Sequence, residues 1–433
     1  SETSAELVND AAPRPNEDWN YLIFVSQGII AGSSKHIGNA KLLLPYLYTA
    51  TGAPVYLAGL LLPIMSACRI IGQILTAPVV GAARTKRWFL FLGWITTAIG
   101  LAAAAFTAGI SQHWLVMVIF LLVAIAMGIT KGMNALAFNS LLGWNISKTR
   151  RNSGILFISA AAGVMTVAVT VVVHLWASGS SIMVHNTELA YAAAIVTAIA
   201  GVMILAFQEE PQDTAAELEA HERLQTVPRF LGEVVRGYHD LIESLQHSWM
   251  RRYILMRLLT TTVIIATPFY AVHGAVLHAN KNAVGLSAFV ISASVAVVIC
   301  GPVWKWIGAR SQRLVTSLGS AVVGCGGLWA IVIDLTPELQ TVFAHSFVFA
   351  LAAAGIQGVN GSRLLFLIEA SPKQDLTYYV AITNTVSAVA ALILATLFGM
   401  IAEIQGVIWP VVLVASLNFL AALQALALIK PKP

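Results

Sequence analysis

AARTKR, residues Ala82–Arg87, returns as GARSQR, residues Gly308–Arg313. The starting numbers 82 and 308 differ by 226. The same shift carries Gly59 onto Gly285, and KGMN (Lys131–Asn134) onto QGVN (Gln357–Asn360). Each match alone is weak. Three at one offset mark a duplicated unit, and because equivalent loops keep the same charge, the two copies run parallel about an axis normal to a membrane.

The membrane follows from composition. Of 433 residues, 58% are hydrophobic and 10% charged, with a mean hydropathy of +0.79. Soluble domains carry roughly 25% charged residues. Apolar runs of about 20 residues recur along the chain, each long enough to cross a hydrocarbon core. Only helices or closed barrels satisfy their backbone there. Barrel strands alternate in short segments, whereas these runs are long and rich in Ala, Leu, Val and Ile. They predict twelve spans, at 20–47, 55–81, 87–109, 114–142, 153–177, 188–207, 252–278, 284–307, 312–334, 340–369, 376–402 and 406–429. The expected fold is an all-α integral membrane protein, with twelve transmembrane helices in two parallel-repeat six-helix bundles.

The longest polar interruption, Gln208–Arg252, divides these spans six and six. Four regions are expected: a disordered tail over 1–18, a bundle over 19–207, a linker over 208–251, and a second bundle with a short tail over 252–433. The tail has Pro13 and Pro15 and lacks the apolar core of a signal peptide. In the linker, Phe230, Val234, Tyr238, Leu241 and Leu245 recur at helical spacing, which suits an amphipathic helix lying on the membrane face. Cys68, Cys300 and Cys325 fall inside apolar spans and suggest neither a disulfide framework nor a metal site. Lys86, Arg87, Lys148, Arg150, Arg151, Arg310, Arg313, Lys373, Lys430 and Lys432 all lie on one side. By the positive-inside rule that side is cytoplasmic in a plasma or inner membrane, and it holds both termini. The basic balance reflects topology and is no evidence for nucleic acid.

Twelve spans, a parallel repeat of six, a long central linker and a Gly/Arg loop after spans 2 and 8 resemble the major facilitator superfamily. GPVWKWIGARSQR keeps Gly301, Gly308, Arg310 and Arg313 of that family's signature loop, and the first copy keeps Arg84, Lys86 and Arg87. Lys305 stands where the family usually has an acid, and the first copy also lacks one. The resemblance implies alternating access around a central cavity, with these loops acting in gating.

Ionisable residues at membrane depth cost at least about 2.5–3.5 kcal/mol on insertion scales, and they usually face a cavity or a partner. Lys35 and His36 lie in span 1, Arg69 in span 2, Lys131 in span 4, Arg257 in span 7 and Arg363 in span 10. From Trp19 to Phe207 the one acidic residue is Glu188, near an outer end. In the second half Asp334, Glu338, Glu369, Asp375 and Glu403 lie at span ends or loops. The basic centre is thus uncompensated. Asn134, Gln357, Asn360 and Asn384 add polar groups to the candidate site. On span 1, Gln27, Gly28, Gly32 and Lys35 form one small or polar stripe expected to face the ligand. Lys41 reads as an interfacial anchor, and His174, His273 and His345 as structural or interfacial. Thr267–Pro268 reads as a hinge.

These residues point to a monomeric secondary transporter for an organic or phosphorylated anion, with protons or a counter-anion as coupling partner and no cofactor. Two alternatives stay open: efflux of amphipathic or drug-like compounds, and a non-transporting assembly or lipid-binding protein on the same fold. No Ser-His-Asp, HExxH or phosphate-loop pattern suggests an enzyme.

Overall fold

A computed structural model describes residues 16–83, 85–145, 148–176, 182–208, 248–278, 285–370 and 376–428. Arg84 and the amphipathic helix expected around Phe230–Leu245 lie outside them. Among the described residues the chain is helical without strands: α1 Glu17–Ile37, α2 Leu43–Ala50, α3 Val55–Ala82, α4 Arg87–Phe106, α5 His113–Asn145, α6 Lys148–Trp176 and α7 Ile182–Met203, then α8 Ser248–Leu259, α9 Thr261–His278, α10 Gly285–Gly308, α11 Gln312–Leu335, α12 Val342–Ala370, α13 Leu376–Gln405 and α14 Ile408–Leu426.

Among the described residues, ten segments are long and apolar enough to cross a membrane. The two other expected spans are occupied by α1–α2 and by α6, whose apolar stretch Ala161–Trp176 is shorter. The arrangement is consistent with twelve crossings.

Helix pairing repeats with the sequence. In the first half α3 packs on α5, and α4 on α5 and α7. Their equivalents in the second half make the same pairs, α10 on α12, and α11 on α12 and α14. Glycine permits the closest of these approaches. A Cβ on Gly132 of α5 would meet the Arg69 carbonyl and the Gln73 backbone nitrogen of α3. On α12, a Cβ at Gly355 would meet the Gly319 carbonyl of α11. Small residues at such crossings let helices gain van der Waals contact where lipid supplies no hydrophobic drive.

Two predicted spans are broken. Span 1 stops at Ile37 and restarts at Leu43. Gly38 closes α1, donating its N–H to the Ser34 carbonyl at 2.8 Å, while Asn39 Oδ1 accepts from the Lys41 N–H at 3.1 Å. Span 7 breaks at Thr260, not at the expected hinge, because α9 runs unbroken through Pro268. At this break the Thr260 and Thr261 hydroxyls both donate to the Arg257 carbonyl, and Thr262 donates to Leu259. Side-chain donors thereby compete with the backbone ladder.

The halves meet on the side away from the termini, called here the far side. Glu403 of α13 accepts from the Tyr56 N–H at the start of α3, at 3.2 Å. A carboxylate there complements the positive end of the α3 dipole. Gly399 lies against the Tyr56 backbone, and Gly59 against the Phe269 ring. Phe269 and Phe398 meet edge-on at 5.7 Å, and Tyr46 of α2 meets Phe289 of α10 at 6.0 Å. The far side is therefore closed by apolar contact between α2, α3, α9, α10 and α13.

Candidate functional site

The break in span 1 has a lysine just before it and another within it. Lys35 occupies the last turn of α1, where a cation complements the negative helix end. Its ammonium stands 5.6 Å from the Trp94 ring centroid of α4, a cation–π contact. Lys35 is reachable by solvent although protein surrounds it, as on the wall of a cavity. Lys41 sits in the unwound turn itself.

These lysines belong to a larger cluster. Lys131 of α5 directs its ammonium to the Met65 sulfur at 3.5 Å, and its charged neighbours are Lys35, Lys41 and Arg69. Lys41 in turn has Arg69 and, from the second half, Arg363 as charged neighbours. Arg363 has Arg257 beside it. The cations thus form one chain from α1 to α8, crossing between the halves at Lys41 and Arg363.

Neutral amides hold the arginines. Arg257 is 6% exposed, and its Nη2 donates to Asn384 Oδ1 of α13 at 2.6 Å. Arg363 Nη2 donates to Asn360 Oδ1 one turn back at 2.9 Å, while Tyr253 donates its hydroxyl to the Arg363 carbonyl at 2.9 Å. Arg257 Nε and Arg363 Nη1 are buried without a hydrogen-bond acceptor among the described residues.

Among the described residues, no ion pair joins any of these cations to a carboxylate; His273 and Asp334, outside the cluster, meet at 3.2 Å. Gathered cations repel one another, and two guanidinium N–H groups here have no acceptor among the described residues. Asn and Trp orient the cations without neutralising them.

Other expected residues lie elsewhere. Asn134 packs against Gly93 of α4, joining two helices of the first half. Gln357 turns its amide toward Gly301 of α10. The span 1 stripe does not act as one surface. Gly28 and Gly32 meet Ile158 and Ala162 of α6, and Gln27 donates to the Ala200 carbonyl of α7 at 3.5 Å. His36 stays next to Lys35 but is turned about 100° from it.

The signature-loop arginines tie helix ends. Arg87 Nη1 donates to the Leu205 and Phe207 carbonyls, at 3.3 and 2.9 Å, where span 6 ends. Its repeat equivalent Arg313 donates to the Leu428 carbonyl at 2.6 Å, where span 12 ends. Arg310, just past α10, stacks on Trp306 at 3.9 Å, and Gly301, Lys305 and Gly308 lie in the last turns of α10. Lys86 precedes α4 as its N-terminal flank.

Sequence reasoning missed Lys41, Trp94 and Met65. The Gly38–Asn39 pair inside an apolar run was the available signal for a turn that draws Lys41 inward.

Comparison with known proteins places this architecture. A profile of the Major Facilitator Superfamily matches residues 29–357. Uncharacterized protein Rv2209 of Mycobacterium tuberculosis (strain ATCC 25618 / H37Rv) is 24% identical over 409 residues, covering 93% of this chain and 75% of the relative. The crystal structure of the nucleoside transporter NupG superposes with a TM-score of 0.62 at 12% identity, covering 95% of this chain and all of NupG. The inward-open xylose transporter XylE from E. coli gives 0.61 at 15% identity, over 95% of this chain and 97% of XylE. A POT family transporter in complex with 5-aminolevulinic acid gives 0.65 at 11% identity, over 93% and 95%. At such identities the solved structures establish the fold alone. With the profile covering most of the chain, the repeat in its sequence and its recurring helix pairs, this integral membrane protein belongs to the Major Facilitator Superfamily of transporters.

Proposed function

We propose that the chain is a secondary-active transporter that carries an organic or phosphorylated anion across the plasma or inner membrane by alternating access. The observation that carries this reading is the cation chain Lys35, Lys131, Lys41, Arg363 and Arg257, with Arg69 at its side, which crosses between the halves without a carboxylate partner among the described residues. A bound anion accepts from the buried donors of Arg257 and Arg363 and offsets the repulsion between Lys41 and Arg363. Because these two residues come from different halves, the anion also becomes a bridge between them. Closure of the far side supports a state in which such a ligand reaches the cluster from the terminal side. The basic terminal side is cytoplasmic in this reading, and the protein works as a monomer. Protons or a counter-anion supply the coupling.

The test is a thermal-stability screen of the purified protein against inorganic phosphate, sulfate, mono- and dicarboxylates and phosphate esters. The reading expects at least one anion class to raise the Tm in a saturable way that the matching neutral alcohol does not. Absence of any anion-specific stabilisation contradicts it.

A further inference from the structure

Away from the cation cavity, near the far side of the second half, lies a cluster that the transport reading leaves unused. His273, His278 and His345 are 2%, 1% and 0% exposed. The His273 and His345 rings lie 5.1 Å apart between centroids, and the His278 and His345 rings 5.2 Å. His273 Nε2 meets Asp334 Oδ1 at 3.2 Å. Three imidazoles gathered at such depth are an expensive way to fill space that leucine fills without polar atoms. Among the described residues no group has an arrangement suited to holding a metal ion.

We propose that His273, His278, His345 and Asp334 form a proton-binding site whose charge state controls opening of the far side. Imidazole is the side chain that changes charge near neutral pH. Access is provided by Asp334, whose side chain is 33% exposed at the end of α11, while His273 behind it is 3% exposed. A proton taken up from solvent at His273, beside Asp334, has His345 and His278 as successive neighbours. The groups facing His345 are His273, His278 and the Tyr270 backbone from α9, and Phe289 from α10. From α11 comes Asp334 through His273, and from α12 the Phe349 ring. The carboxylate of Asp334 meets His273 directly, so a proton held on His345 lies one ring further from it.

That position is where charge has leverage. Phe289 stacks on Phe349 at 4.5 Å and also carries Tyr46, the α2 contact across the halves. Gly285 lies between the Tyr46 hydroxyl and His278. Charging His345 or His278 places an ion against this apolar seam, which favours parting of α2 from α10 and entry of water. Low pH on the far side therefore opens the far side. The inference does not depend on what the cation cavity carries.

The test uses the full chain in nanodiscs, with Cys68→Ser, Cys300→Ser, Cys325→Ser and the reporter Ala395→Cys. Ala395 is fully buried beside Gly59 in the closed seam. Its reaction with a membrane-impermeant maleimide is followed between pH 8 and pH 5, roughly the range of histidine titration. Each rate is divided by that of the unfolded protein at the same pH, which removes thiol ionisation. The normalised rate should rise severalfold at low pH and become flat in His345→Gln and in the more exposed Asp334→Asn, while His36→Gln keeps the response. Size-exclusion profiles show which variants fold. A flat wild-type profile overturns the proposal. So does an unchanged response in both cluster variants, or a response that appears on adding zinc and vanishes with chelator.

Discussion

Lys41, in the break of span 1, has Arg363 of α12 as a charged neighbour, so the two halves of the repeat face each other through like charges. In the proposed reading, this repulsion weighs against close approach of the halves when no anion is bound. In that reading, an anion between them converts the repulsion into attraction. In alternating access, the ligand shifts the balance of states by its difference in affinity between them. A bridge made at the junction between the halves is where such a difference is largest.

The repeat-equivalent arginine ties predict matched stability losses. Arg87→Gln and Arg313→Gln each remove charge-assisted hydrogen bonds to the carbonyls that end spans 6 and 12. Each should cost roughly 1.5–3 kcal/mol. Both variants should lower the Tm of the detergent-purified protein by similar amounts, with lysine at either site recovering part of the loss. A gating role without a structural one would leave Tm unchanged.

Close packing makes a sharper contrast. Gly355→Val inserts atoms where the Gly319 backbone already stands, whereas nothing lies within 4 Å of a Cβ at Gly361. The first variant should lose monodisperse protein on size exclusion, and the second should behave as wild type. Equal behaviour would show that α11 and α12 do not cross as described.

Orientation is open to a direct check. A single cysteine replacing His185 at the start of α7, in the same cysteine-free background, should react with an impermeant maleimide added outside intact cells. Reaction only after the cells are lysed would invert the proposed topology.

The duplicated loops, span lengths and missing acids were readable in the sequence, because repeat offset, hydropathy and charge are properties of residue order. The break at Gly38–Leu42 was hidden because a hydropathy average runs smoothly over a short turn with apolar flanks. Lys41 consequently read as an anchor, although the turn carries it into the cation cluster. Asn134 follows Lys131 by three residues, a rotation of about 60°. That is enough to turn it from the cluster to Gly93. Thr260, not Pro268, breaks span 7, because three consecutive threonine hydroxyls engage carbonyls there. Proline costs α9 one backbone donor and leaves its path intact. The histidine cluster draws on residues from 273 to 345, and no local pattern links them.

The central claim is that an anion binds between the halves on Lys41, Lys131 and Arg363. The most direct measurement is the affinity of the best-stabilising anion for wild type, Lys41→Gln, Arg363→Gln and the double variant, by calorimetry on folded protein. Loss of one charge-assisted hydrogen bond should weaken binding roughly ten- to a hundredfold. The two single losses should fall short of additivity in the double variant, since both residues hold one ligand. Wild-type affinity in both single variants would contradict the account.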